Sequence, residues 1–232
     1  MEAEDGGPRL KSAATEERVR SKEVVNPPQQ ERSRDTLRRI VKAAEELLQE
    51  RSFSEISVDD IVEQASSSKG SFYQRFSDKE GLLVHLLREE HDAAVARWSE
   101  FLNPAKWRGR PFVTIAEAFV DRLVEIYRGR PELMRVYADQ VRSVQGEIRA
   151  LSIQLNRHVL ELLRRLARER KDEIGHPDVD KATGFLLTAL VTLLPALFLS
   201  PTQELFPHPM DSDEMQRELQ VVVRSYLGLL ED

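Results

Sequence analysis

The sequence predicts an all-α fold of about nine helices, on three observations. Apolar residues recur at the 3.6-residue spacing of a helix in nearly every segment after the first thirty or so positions. No segment alternates apolar and polar residues with period two over strand length. The breaks between periodic segments carry glycine, proline, or a serine followed three residues later by an acid, which are helix stop and start signals. With 232 residues, 41% of them hydrophobic, the chain can bury one small core and one larger one.

Residues 1–33 are polar, mixed in charge and without period, and read as a disordered tail ending in "NPPQQERS". From Arg34 to Arg51, Leu37, Ile40, Val41, Ala44, Leu47 and Leu48 form the apolar stripe of a first helix. Ser57 with Asp60 opens a second, whose inner side is Ile61, Val62 and Ala65. "KGSFYQRF" supplies a short third helix, and Ser77 with Glu80 starts a fourth that carries Leu82, Leu83, Leu86, Leu87, Ala94 and Trp98. Phe112 to Tyr127 keeps the period, "RGRP" breaks it, and further helices fall at about 131–145, 147–171, 179–199 and 213–230. The most apolar run, Gly184 to Leu199, is interrupted by Pro195 and is shorter than the ~20 residues of a membrane-spanning helix. It reads as a helix buried on all sides in a core or an interface, so no membrane partner is expected.

Charge and chemistry narrow the function. The net charge is −6, so bulk attraction to nucleic acid or to an anionic membrane is excluded and any such site must be a local patch. There is no cysteine, which rules out disulfides and thiolate metal sites and fits a reducing cytoplasm. The first residues lack the apolar stretch of a secretory signal. No nucleophile–base–acid set and no glycine-rich phosphate loop is present, so an enzyme is not expected, nor a cofactor. His85, Glu89 and Asp92 share a helix face, but a solvated pair four residues apart is the better reading than a metal site.

The local patch is "SSSKGSFYQRFSDKEG", residues 66–81. Phe72 and Phe76 share one face and point to the core, which leaves Ser67, Ser68, Lys69, Gly70, Tyr73, Gln74 and Arg75 to solvent. Hydroxyls and N–H groups at a helix N-terminus bind phosphate oxygens, and Gln74 and Arg75 are long enough to reach base edges in a major groove. With "VDDIVEQA" before it, this is a helix-turn-helix pattern.

The run "RRIVKAAEELLQERSFSEISVDDIVEQASSSKGSFYQRFSDKEGLL" resembles the DNA-binding domain of the tetracycline-repressor-like (TetR-type) transcriptional regulators. The similarity covers about residues 34–87; beyond it only helix number and length match. The resemblance implies an N-terminal three-helix DNA-binding domain at 34–80 and a ligand-binding and dimerisation bundle at 81–232. It implies backbone contacts from Lys69, Tyr73 and Lys79, and positions at or near bases for Ser68, Ser71, Gln74 and Arg75. It places Ser57 and Val58 near a phosphate; Ser67, where the family commonly has valine, departs from the pattern and gains a hydroxyl able to meet a phosphate, and Gly70 allows close approach. Arg34, Arg38 and Lys42 form a row on the first helix that either clamps a strand or is a solvated face. The family commonly has glycine where Ser52 and Ser66 stand; if the backbone there is left-handed, serine costs on the order of 1–2 kcal/mol.

In the bundle, the helix at 179–199 with Phe185, Leu190, Leu194 and Leu197, and the last helix with Val222 and Tyr226, are the candidate dimer interface. Trp98, Phe101, Phe119, Tyr127, Tyr137, Gln140 and Asn156 are the candidate lining of a ligand pocket. The expected function is a homodimeric regulator, a repressor that binds a palindromic DNA operator and is released by a small-molecule inducer. The alternative is a helical protein-interaction module whose helix-turn-helix no longer binds DNA.

Overall fold

The computed structural model describes residues 27–142, 146–199 and 210–229. Among them are nine α-helices: α1 Pro27–Glu50, α2 Val58–Gln64, α3 Lys69–Tyr73, α4 Lys79–Phe101, α5 Phe112–Gly129, α6 Pro131–Arg142, α7 Glu147–Arg168, α8 Val179–Phe198 and α9 Ser212–Leu227. A 3-10 turn at Lys171–Glu173 and an isolated bridge between Ile174 and Leu229 complete the described structure. The helix α1 begins at Pro27, seven residues before the expected Arg34, so residues 27–33 are helical rather than the end of a tail. Proline suits a first helical position because the N–H it lacks has no intrahelical partner there. Residues 1–26, the rest of the expected tail, lie outside the described residues.

Two of the expected helix starts can be compared directly. Ser57 caps α2 with a full capping box, its hydroxyl accepting from the Asp60 N–H while the Asp60 carboxylate accepts from the Ser57 N–H. The start of α4 is one residue later than expected: Asp78, not Ser77, is the cap, and its carboxylate accepts from Gly81 N–H at 2.7 Å.

The apolar stripes build two cores. In the first, Ile40, Val41, Ala44 and Leu48 of α1 meet Ile61 and Val62 of α2, Phe72 of α3, Phe76, and Leu82, Leu83, Leu86 and Leu87 of α4. Leu133 and Met134 of α6 and Ile148 of α7 join the same cluster, so the small domain rests directly on the bundle. The second core gathers α4, α5, α7, α8 and α9 around Phe119, Val124, Leu166, Leu187 and Leu194. At its edge Gly228, at φ +61°, ends α9 and lies so close to Gly175 that a Cβ on Gly228 would sit 3.1 Å from the Gly175 Cα; only glycine is comfortable at both the angle and the distance.

Helix α8 is 20 residues long with Pro195 inside it, longer than the apolar run alone and long and apolar enough to cross a membrane by length and composition. Within the single chain one side of it is buried and the other is open. Ala182, Thr183, Leu186, Leu187, Leu190 and Leu194 face the core, whereas Phe185 and Leu193 are 56% and 47% exposed.

Candidate nucleic-acid interface and ligand cavity

Helices α2 and α3 are joined by a tight turn, Ala65 to Ser68. Ser66 in that turn has φ +46°, the left-handed backbone that favours glycine. Ser52 has no such angle, so of the two serines only Ser66 is strained. The Arg39 guanidinium, reaching across from α1, donates to Ala65 O at 3.1 Å and to Ser66 O at 2.8 Å and holds the turn. Ser68 caps α3: its hydroxyl accepts from Ser71 N–H at 3.2 Å and donates to Ser71 Oγ. Phe72 is fully buried, with Phe76 at 5.5 Å between ring centroids, so the inner face of this element is the expected one. On the outer face Tyr73 is 54% exposed, Gln74 is exposed and its side chain has no hydrogen-bond partner among the described residues, and Gly70 has only Ser68 Oγ near its absent side chain, at 3.9 Å. Ser67 and Ser68 lie in the turn, half-buried and exposed in that order; Ser71 is half-buried in α3, and Ser57 is exposed at the other end of α2.

Three cations of this element are already engaged. Lys69 pairs with Asp59 of α2 at 2.7 Å, both side chains exposed, and the carboxylate holds the ammonium above its usual pKa. Arg75 does not project toward solvent as expected. Its Nη1 donates to Ser71 O at 2.6 Å and its Nη2 donates to Ser33 O and Oγ at 3.0 Å, so it ties α3 to α1. Lys79 is likewise turned inward. Its Nζ donates to Phe53 O at 2.8 Å and Ile56 O at 2.7 Å and stands 4.4 Å from the centroid of the Phe53 ring. Two of the three N–H donors of that ammonium are thus spent on carbonyls of the loop before α2. On α1, Arg38 pairs with Asp35 and Lys42 with Glu46, all at the surface.

Inside the bundle a cavity of about 480 Å³ lies between α4, α5, α6, α7 and α8. Trp98, Phe119, Tyr127, Tyr137 and Asn156 line it, as expected from sequence. Phe101 and Gln140 do not: Phe101 stands edge-on to Trp98 and Trp107, outside the cavity wall. The sequence reading missed Glu90, His91, Arg97 and Ser152 in the wall. His91 and Ser152 occupy slots in apolar stripes, the first in Leu87, His91, Ala94, Trp98 and the second in Ile148, Ser152, Leu155, Val159. A polar residue at a core register was the available signal. Glu90 is bridged by Arg97 and by Arg130, the latter at 3.0 Å. Burial pushes the Tyr127 hydroxyl up to about 12 and raises that of Tyr137 too. His91 is 8% exposed, and its Nδ1 is enclosed without a hydrogen-bond partner among the described residues. Among those residues no cluster of three potential metal ligands occurs; His85 and Glu89 form a pair at 3.4 Å and nothing more.

The outer side of the bundle carries an apolar face. Phe185 and Leu193 of α8 are joined there by Val221 and Val222 of α9, 42% and 55% exposed, and the Tyr226 ring lies tilted against Phe185 at 5.2 Å between centroids. Leu197 and Tyr226 are half-buried. Leu190 and Leu194, expected at an interface, are buried inside the subunit and cannot meet a second copy.

Comparison with known proteins gives matches at both ends of the chain. The profile described as bacterial regulatory proteins, tetR family, matches residues 40–86, and that described as tetracyclin repressor-like, C-terminal domain, matches residues 111–227. The HTH-type transcriptional regulator UidR of Escherichia coli K12 is 27% identical over 158 residues, which cover 66% of this chain and 76% of UidR. Among solved structures, Escherichia coli NemR in its reduced form aligns with a TM-score of 0.58 at 18% identity, covering 84% of this chain and all of NemR. FadR of Bacillus subtilis, solved with stearoyl-CoA, aligns at 0.57 and 18% identity, covering 81% of this chain and 97% of FadR. At such identities the two structures speak for the fold.

Proposed function

The chain belongs to the TetR family of bacterial transcriptional regulators, and on that premise we propose that it is a cytoplasmic repressor that binds a palindromic operator as a homodimer and is released by a small molecule in the bundle cavity. The observation that carries this reading is the continuity of α4. Its first residue, Lys79, is fastened to the loop before α2, and Glu90, His91, Ala94, Arg97 and Trp98 farther along the same helix wall the cavity. Whatever fills the cavity pushes on a rod whose other end is bonded to the DNA-reading unit. An inducer must bind the spread dimer more tightly than the DNA-bound one, and DNA then weakens inducer binding by the same factor, on the usual scale of ~1–3 kcal/mol.

In this reading Lys69 and Tyr73 meet phosphates, helped by Ser67 and Ser68 at the turn and by Ser57 at the start of α2, while Ser71 and Gln74 lie at base edges and Gly70 lets the backbone come close. Arg75 and Lys79 hold the element rather than touch DNA. Phe185, Leu193, Val221 and Val222 form the self-complementary patch of a two-fold dimer, an exposed apolar surface of the kind that a second copy covers. Residues up to about 80 read DNA, and the remainder carries cavity and interface.

The test is a gel-shift titration of the chain's own upstream region, run beside sedimentation. A dimer at micromolar concentration that shifts this DNA, and a Phe185→Glu, Val222→Glu double variant that is monomeric and no longer does, support the reading. A monomeric wild type, or no shift of that DNA above the level of random sequence, overturns it and favours a protein-interaction module.

A further inference from the structure

The cavity wall also limits what can occupy it, an inference that rests on the cavity being the inducer site. Its charges are already matched. Both carboxylate oxygens of Glu90 are taken, one by Arg97 and one by Arg130, and Arg130 also faces Glu45 of α1. Arg142, also in the wall, pairs with Asp139, so the charged side chains of the wall are each engaged and neither an ammonium nor a carboxylate on a ligand finds an unpaired opposite charge. An ionic group would surrender its hydration without a partner. The remaining wall is largely aromatic and aliphatic, with the Trp98 and Phe119 rings 5.0 Å apart between centroids and tilted at 48°. A volume of about 480 Å³ is within the range of pockets that enclose drug-sized molecules. Set into this wall is His91, nine-tenths buried, with neither ring nitrogen partnered among the described residues; Nδ1 is fully enclosed, which leaves Nε2 as the nitrogen a ligand can meet. A buried polar group without a partner is costly unless something else completes it.

We propose that the cavity takes a neutral, largely apolar ring compound bearing a hydroxyl group, and that this hydroxyl hydrogen-bonds to the imidazole of His91. The charge balance excludes acids and amines, the aromatic wall selects a flat ring, and the unsatisfied imidazole selects the hydroxyl.

Three probes of one ring system test this: 1-naphthol, naphthalene and 1-naphthoate, titrated into the full chain and followed by the fluorescence of Trp98 in a Trp107→Phe background. The expected ranking is 1-naphthol first, about tenfold tighter than naphthalene, a ratio within reach of one hydrogen bond, with 1-naphthoate weakest. In His91→Phe the advantage of naphthol over naphthalene should vanish, and in His91→Gln it should partly return. Should His91→Phe fail to fold, the imidazole nitrogen resonances of His91 in the wild type decide: they should move with naphthol and stay with naphthalene. Naphthoate binding as tightly as naphthol, an advantage for naphthol that survives His91→Phe, unmoved His91 resonances, or no binding by any probe overturns the proposal. Operator DNA separates the two readings. The expected ranking without any change in operator affinity sinks the inducer reading and leaves the ligand class standing; a different ranking with lowered operator affinity does the reverse.

Discussion

Arg39 Nη1 donates to Ser66 O at 2.8 Å, and Ser66 is the one described non-glycine residue with a positive φ. A cation on α1 thus grips the carbonyl of the strained residue in the turn between α2 and α3. Ser66→Gly relieves the left-handed strain and should stabilise the chain by up to about 1 kcal/mol, since glycine's larger unfolded-state entropy offsets part of the relief. Arg39→Ala removes the grip and should lower the melting temperature, and less so in the Ser66→Gly background. Thermal melts of the four proteins check this; a Ser66→Gly chain that melts lower than wild type contradicts it.

Lys69 and Asp59, 2.7 Å apart, predict a self-inhibiting contact. A phosphate must displace or share Lys69 with the carboxylate, and Asp59 repels the phosphate besides. Asp59→Asn should tighten binding to all sequences alike, by about 0.5–1 kcal/mol, with the gain shrinking at high salt. Lys69→Ala should weaken all sequences alike and lower the salt slope by about one. Fluorescence anisotropy with specific and random duplexes at several salt concentrations measures both.

Gln74 and Arg75 should part company despite adjoining each other. The Gln74 side chain is exposed with no partner among the described residues, so Gln74→Ala should cost ~1–3 kcal/mol on the preferred site and little on random DNA. Arg75 is bonded to Ser33 and Ser71, so Arg75→Ala should lower thermal stability and weaken both DNAs in proportion. A selective loss on the preferred site for Arg75→Ala would show that the arginine leaves Ser33 to read a base.

Glu45 carries a pH dependence. Burial first, and then Glu89 and Glu90, raise its pKa, with Arg130 opposing them. A carboxyl whose folded value lies above its unfolded one costs stability as pH rises from the ordinary glutamate range through the folded value. Glu45→Gln cannot ionise and should lose less stability across that window. Denaturant melts at pH 4 to 7 should show the gap between variant and wild type widening upward; a gap that narrows upward contradicts the sign.

The sequence made most of this legible, and the failures share a cause. Helical stripes such as Leu82, Leu83, Leu86 and Leu87 appear as period, and Ser57 with Asp60 as a start signal, because both are local. The inward hydrogen bonds of Arg75 and Lys79 were not legible because their partners, Ser33 and the Phe53 and Ile56 carbonyls, are more than twenty residues away. Leu190 and Leu194 were placed at the interface because a helix without a polar face does not reveal which side meets its own subunit. His91 was passed over although its register with Leu87 and Trp98 was in plain sight, because a cavity is a property of five helices together.

The central claim is that two copies of this chain read DNA with two-fold symmetry. Sequencing of duplexes selected from a random pool by the pure full-length protein tests it most directly. The account predicts enrichment of an inverted repeat whose half-sites lie about one helical turn, ~34–36 Å, apart or slightly more, with selection abolished in the monomeric Phe185→Glu, Val222→Glu variant. Enrichment of a single asymmetric site, or equal selection by that variant, would contradict it.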